Sequence, residues 1–371
     1  MKKITIIGAT ILMTLSLAAC GNSSSSSDSS SKSSSAKTAP KAAKVKISTG
    51  AVKDATVPGK GTLVMRQLYA APHGKQSFAA VTVTLNGDTI VDAKIDEFQY
   101  VAKSADWTAV PNGDSDFGKG FPKGQILIAK YQNSKPYSAL MKKEAKATHT
   151  WQENANAIES FVKGKTIDEV KTAVGDVGAT KKVSDVVSGA TFVDTKGYLQ
   201  AIYDAATTGM VSTGIETTDN NVTTGQTLAA PHGKQSFAIV TVAMQGDKIA
   251  DTFVDEFQYV PSSDFGGVPN SDSDFGKTTK AGTVLGSKRA NDDAYSSLMK
   301  KEAKATHTWQ ENADAINDFA KGKTIAQLEA ATKELDGKTK KSDITDVVSG
   351  ATFADTDGYL KSIIDAAKLA K

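Results

Sequence analysis

The sequence predicts an α+β fold built twice in tandem, and three observations carry that prediction. Strand-like alternation runs up to a Gly-containing turn and resumes after it, helical periodicity follows, and the whole pattern then repeats. Ala70 to Phe78 returns residue for residue as Ala229 to Phe237, and Asp96 to Val101 returns as Asp255 to Val260. Leu140 to Asn154 returns unchanged as Leu298 to Asn312, and Asp185 to Phe192 as Asp346 to Phe353. The spacing between copies is 159 residues at Ala70, 158 at Leu140 and 161 at Asp185. Length changes therefore fall near residues 102–110 and 173–184, as loops would. Each unit is about 140 residues, the size of a domain rather than of a solenoid repeat. The expected domains are residues 61–210 and 211–371.

Ahead of them, residues 1–19 have the form of a lipoprotein signal peptide. Lys2 and Lys3 precede an apolar stretch, Ile4 to Leu17, that is too short to span a bilayer. Leu17-Ala18-Ala19 leads into Cys20 in a pattern similar to a lipobox, with Cys20 as the lipidation site. Cys20 is the only cysteine of the 371 residues, so an acylated mature chain has no thiol. Disulfides, iron–sulfur clusters, thiolate zinc sites and c-type haem attachment are thereby excluded. The net charge of +3 falls to about +1 without Lys2 and Lys3. Such a balance, with both signs interspersed, gives no electrostatic footing for nucleic acid. Residues 20–60 are rich in Ser, Ala and Lys and too poor in large apolar side chains to offset chain entropy, so a disordered linker is expected there. A lipid on Cys20 and a flexible span of roughly 35 Å would tether the folded part to the outer face of the cell membrane.

Within a unit, Ser77 to Leu85 alternates apolar and polar residues, turns at Asn86-Gly87-Asp88 and resumes from Ile90 to Tyr100. That is a hairpin with a type I′ turn signal. Its twin runs from Ser236 to Tyr259 around Gln245-Gly246-Asp247. After a polar loop, Pro111 to Gly118 in the first copy, Leu140 or Met141, Ala145, Thr148, Trp151, Ala155, Ile158 and Phe161 or Val162 recur every three or four residues. This spacing predicts one amphipathic helix ending at Gly164. The unit closes with a Ser-Gly-Ala-Thr turn and a helix from about Lys196 to Ala206.

The chemistry-bearing motif is Asp185-x-x-Ser188-Gly189-Ala190-Thr191, with its copy Asp346-x-x-Ser349-Gly350-Ala351-Thr352. One reading is structural: Thr191 to Asp194 and Thr352 to Asp355 fit a capping box before the closing helix, and the glycine lets the chain turn. The other is chemical. A threonine hydroxyl after two residues without bulk can enter another enzyme's active site, and a helix N-terminus suits a phosphate once attached. The pattern resembles the flavinylation signature of the FMN-binding domain family, in which a transferase moves FMN from FAD onto the last threonine through a phosphoester bond. With lipobox, linker and two such domains, the whole chain resembles the extracellular electron transfer flavoproteins (pheromone lipoprotein A type) of Gram-positive bacteria. The resemblance implies two covalent FMN groups, on Thr191 and Thr352. Asp185, Ser188, Gly189, Ala190, Asp346, Ser349, Gly350 and Ala351 would be the recognition element. It further implies an FMN transferase as loading partner, a quinone or flavin electron donor in the membrane, and extracellular acceptors such as ferric iron.

His73, His149, His232 and His307 are the four histidines, two per unit, too few and too scattered for a zinc or haem site. The identical stretch from Leu140 raises Met141, His149 and Trp151, with Met299, His307 and Trp309, as candidate walls of a flavin pocket; core packing would hold them constant too. Asp114 to Gly118 and Asp272 to Gly276 lack the spaced acids of an EF-hand loop and read as turns. Their Phe117 and Phe275 are further candidates to approach the ring. Nucleophile-elbow and Walker A patterns are missing, so no catalytic residue is assigned. The leading expectation is a membrane-anchored extracellular electron carrier. A solute-binding lipoprotein of a transporter and a wall-associated adhesive module also fit the anchor. Neither accounts for the motif recurring with its upstream aspartate.

Overall fold

A computed structural model describes residues 45–179, 181–277 and 279–370. The expected signal peptide, the lipidation site Cys20 and the linker up to residue 44 lie outside the described residues. The first repeat opens with β1 (Thr62–Ala70), β2 (Ser77–Asn86), β3 (Thr89–Ala102) and β4 (Gln125–Ala129). Helices α1 (Ser134–Ala145), α2 (Trp151–Val162), α3 (Ile167–Asp176), α4 (Val183–Val186) and α5 (Thr195–Thr208) follow. After β5 (Met210–Glu216), the second repeat gives β6 (Thr223–Ala229), β7 (Ser236–Gln245), β8 (Lys248–Pro261) and β9 (Thr283–Ser287). It ends with α6 (Asp292–Ala303), α7 (Trp309–Ala320), α8 (Ile325–Leu335), α9 (Lys341–Thr345) and α10 (Thr356–Lys368).

The fold is α+β, with antiparallel sheets in the orders β4-β3-β2-β1-β5 and β6-β7-β8-β9. β5 lies at the start of the second expected domain, yet it pairs with β1 of the first. Along β2 the alternation sends Ala79, Val81, Val83 and Leu85 into a core with α2, α3 and α5. The opposite residues, Phe78 and Ala80, enter a second core shared with β7 and β8. A strand so covered is buried at every position, Thr82 and Thr84 included, and β7 is buried likewise until Gln245. Amphipathic strands alone suggest a sheet with one wet face; the two repeats instead bury those faces against each other.

The shared core is aromatic. Phe78 stacks on Phe98 at 5.0 Å and Phe237 on Phe257 at 5.0 Å, and the cross pairs Phe78–Phe257 and Phe98–Phe237 lie at 5.9 and 5.7 Å. Two loops close it reciprocally, as in an isologous interface. Asn112 Nδ2 donates to the carbonyls of Gly233 and Ser236, both at 2.7 Å, while Asn270 Nδ2 donates to those of Gly74 and Ser77 at 2.8 and 2.7 Å. Both asparagines are left-handed, at φ 62 and 69. The described residues of both repeats fall in one compact unit.

Three local expectations change. The Asn86-Gly87-Asp88 turn has only Gly87 at positive φ (66), and Asn86 pairs with Thr89. Gly at the first central position with Asp88 at negative φ is the type II′ pattern rather than I′. The single helix expected up to Gly164 is two helices, α1 and α2. Lys146 turns left-handed at φ 52, and a Thr150–Glu153 capping box restarts the helix, a signal present in the sequence. Finally, composition assigns residues 45–60 to the linker, but residues 46–52 are built into the fold. Gly267 N–H donates to Lys46 O and Ser48 N–H to Gly267 O, both at 2.8 Å, and Val52 N–H reaches Thr208 O at 2.6 Å. Backbone pairing needs no large apolar side chains, so composition is blind to it. Gly266 gives the strand room: a Cβ there would lie 2.8 Å from that of Ser48.

Asp251 ties β8 to the first repeat's sheet, accepting from Met65 N–H at 3.0 Å and Ser212 Oγ at 2.9 Å. Burial raises its carboxyl from 3.8 to about 7, against the opposing bonds from Ser212 and Met65. Between those values the folded state keeps a proton that the unfolded chain has lost. The contribution of this group to stability therefore falls as pH rises from about 4 to about 7. Asp251→Asn removes that slope, so its stability relative to the parent should improve by roughly 2–4 kcal/mol over this window. Urea unfolding at pH 4, 5.5 and 7.5 measures it; a pH-independent difference would contradict the assignment.

Candidate functional site

Each SGAT loop is shaped by its own small residues. Val187 is fully buried, Ala190 N–H donates back to Val187 O at 3.1 Å, and Gly189 between them takes φ 85. A side chain at Gly189 would be strained and would press on the Ala157 methyl at 3.4 Å. Ala190 seals the core at 1% exposure, which leaves Asp185, Ser188 and Thr191 at the surface. The second copy repeats this: Gly350 has φ 83 with Ala315 at 3.2 Å, Ala351 is buried, and Asp346 and Ser349 are exposed. Thr352 is half-buried where Thr191 is exposed.

The threonines are not helix caps. α5 begins at Thr195 and α10 at Thr356, and neither Asp194 nor Asp355 caps through its side chain. Instead the Thr191 N–H (2.5 Å) and hydroxyl (3.1 Å) donate to Asn154 Oδ1, which also accepts from Phe192 N–H at 3.0 Å. Thr352 uses Asn312 Oδ1 in the same way, at 2.6 Å and 3.0 Å. Both asparagines are fully buried, and their Nδ2 groups donate to Thr150 O and Thr308 O. The asparagine holds the loop against the helix start. It stood at the end of the identical stretch, but nothing in its spacing marked it. The aspartates meanwhile orient histidines: His73 Nδ1 lies 2.7 Å from Asp194 and His232 Nδ1 2.7 Å from Asp355.

Around the loop, Phe192 stacks on Tyr198 at 5.7 Å and Phe353 on Tyr359 at 5.4 Å. Met141 and Phe192 pack against the buried cluster that holds Trp151, and Trp309 lies 6.4 Å from Phe353. Met299 is half-buried against the core that the second repeat's sheet forms with α7, α8 and α10. His149 and His307 are half-buried, with Nδ1 3.1 and 3.2 Å from the neighbouring Thr148 and Thr306 hydroxyls. Phe117 and Phe275 lie elsewhere, enclosed in the aromatic core at 1% and 2% exposure, each against the other repeat: Phe117 on Phe237 at 5.2 Å and Phe275 on Phe78 at 5.4 Å. Packing accounts for them.

Behind each loop runs a buried ion pair that the sequence did not announce. Lys130 Nζ meets Glu97 at 2.7 Å, and the same carboxylate accepts from Ser77 and Tyr198. Lys288, Glu256 and Tyr359 repeat the group. Burial alone would raise Glu97, but Lys130, His73 and Ser77 together hold the carboxyl below its usual range. Burial likewise opposes the charge on Lys130, and Glu97 raises it nonetheless. Both charges are thus fixed around neutral pH, and the pair anchors Tyr198 under Phe192.

Comparison with family models, curated proteins and solved structures finds no match to this chain. Asn154→Ala leaves the Thr191 and Phe192 N–H groups without their acceptor, at about 1–3 kcal/mol. Hydrogen exchange should accelerate at residues 188–192 and not at 349–353, with the converse for Asn312→Ala. Unchanged exchange in the matching loop would mean that the asparagine does not hold it.

Proposed function

We propose that this chain is a lipid-anchored extracellular electron carrier with FMN bound covalently to Thr191 and Thr352. One observation carries the reading: a motif written twice sets a threonine hydroxyl, exposed at Thr191 and half-buried at Thr352, on a loop that its glycine and a buried asparagine fix. The residues present suit the group. Phe192 is half-buried and stacks on the buried Tyr198, and among the described residues the buried Trp151 and Trp309 Nε1 groups have no hydrogen-bond partner. Such an unmet donor suits a polar ligand atom. In the loading step the threonine oxygen forms a bond to the FMN phosphorus of FAD. The pyrophosphate bond breaks, AMP leaves, and the hydroxyl proton is released. Flavin supplies exchange of one or two electrons.

On this reading Asp185 and Ser188, exposed beside the hydroxyl, are what the FMN transferase reads, with Asp346 and Ser349 in the second copy. A quinone or flavin system in the membrane would donate electrons, and ferric iron or similar species would accept them. The lipid on Cys20 keeps the carrier near its donor. The alternative, a solute-binding lipoprotein, requires a cleft between lobes that closes on a ligand. The aromatic core occupies the space between these two sheets.

The full chain co-expressed with a flavin transferase should gain two FMN increments in intact mass and stay fluorescent after denaturation. Thr191→Val and Thr352→Val should each leave one increment, and the double variant none. An unmodified mass, with the transferase active on a control substrate, would refute the reading.

A further inference from the structure

The longest identical stretch between the repeats, Leu140–Asn154 and Leu298–Asn312, is largely a surface feature. Leu140, Lys142, Lys143, Glu144, Lys146 and Thr148 are exposed. Lys143 and Lys301, at 79% and 80%, pair with the adjacent Glu144 and Glu302 at 3.1 and 3.2 Å. This leaves each patch net positive through Lys142 and Lys146 or Lys300 and Lys304. Buried positions have meanwhile diverged. Val170 corresponds to Leu328, Val174 to Thr332 and Glu159 to Asn317. Folding constrains buried side chains more tightly than exposed ones, so the fold does not explain this pattern.

Backbone geometry sharpens the point. Lys146 and Lys304 close α1 and α6 in the left-handed region, at φ 52 and 51. Glycine or asparagine is the unstrained choice there, and a lysine is strained by its own Cβ. The helix dipole accounts for Lys142 and Lys143 in the last turn, but not for lysine at this position. Strain retained at the same place in two copies marks a used side chain. The stretch ends on Asn154 and Asn312, the residues that hold Thr191 and Thr352.

We infer that the two basic knuckles, Lys142-Lys143-Lys146 and Lys300-Lys301-Lys304, dock an acidic face of the flavin transferase. The inference rests on Thr191 and Thr352 being that enzyme's substrates. Such a partner must meet both loops in one orientation, and a protein surface reads uncharged positions such as Ala147 and Thr148 as well as charge. An anionic lipid surface reads charge alone and would leave those positions free to drift.

The test uses the full chain, the purified transferase and FAD. Lys146→Gly with Lys304→Gly should raise the unfolding temperature by relieving the left-handed residue. It should also raise the KM for loading about 3- to 10-fold with little change in kcat. Replacing all six lysines by Glu should raise KM further and abolish its salt dependence. Binding to the transferase, measured without chemistry on the Thr191→Val, Thr352→Val chain, should weaken in parallel. Loading and binding equal to the parent would overturn the docking role while leaving the flavin reading intact. Lysine-dependent binding to vesicles of one part phosphatidylglycerol to three of phosphatidylcholine, with transferase affinity unchanged, would overturn it in favour of the membrane. A parent chain that neither loads nor binds would overturn both.

Discussion

The structure depends on the contact between four phenylalanines, Phe78 and Phe98 from the first repeat with Phe237 and Phe257 from the second. Each repeat's sheet has a helix-covered face and an aromatic one. Alone, either would expose rings whose burial is worth about 1.5–3 kcal/mol apiece. Once the sheets meet, the Asp114–Gly118 and Asp272–Gly276 loops find their seats on the opposite repeat. There Phe117 N–H donates to Lys234 O and Phe275 N–H to Lys75 O. Those seats are the Pro-His-Gly-Lys loops whose histidines meet Asp194 and Asp355. The site of each repeat is thus supported through a loop of the other, and the two expected domains share one core.

Outward from that core come the sheets, then the helices, then the SGAT loops. The central layer is dry and aromatic, whereas the layer behind each loop carries a buried ion pair. Lys130–Glu97 and Lys288–Glu256 are almost fully buried, and each carboxylate also takes a tyrosine hydroxyl. Removing either partner would strand a charge, so the group fixes β3 to α5, and β8 to α10, with little tolerance. The loop therefore rides on a rigid bed even though Thr191 is exposed and Thr352 only half-buried.

Much of this was legible in the sequence. Repetition exposed the duplication, alternation exposed the β2–β3 and β7–β8 hairpins, and the SGAT motif marked the turn before the closing helix of each repeat. What escaped reading has physical causes. Thr82 and Thr84 look like a wet face because nothing local says that a second sheet covers them. The break at Lys146 hides because lysine is not a left-handed residue by habit, although Thr150 and Glu153 announced the restart. Residues 46–52 pair through backbone, which leaves no compositional trace. Asn154 is a polar residue whose partner lies 37 positions away, beyond any local pattern.

The duplication is near-exact at the loops and inexact around them. Tyr131, 42% exposed and 6.5 Å from Trp151, corresponds to Arg289, which is buried over Phe253 and paired with Asp314. The Lys94–Glu159 ion pair of the first repeat is replaced by Phe253 and Asn317 in the second. Only the second repeat has the Gly266-Gly267 pair that seats residues 46–48; the first has Thr108-Ala109 there. Because the aromatic core locks the repeats together, neither loop can exchange its surroundings for those of the other. Two chemically identical threonines are thereby held in one compact unit with unequal burial, Thr191 exposed and Thr352 half-buried.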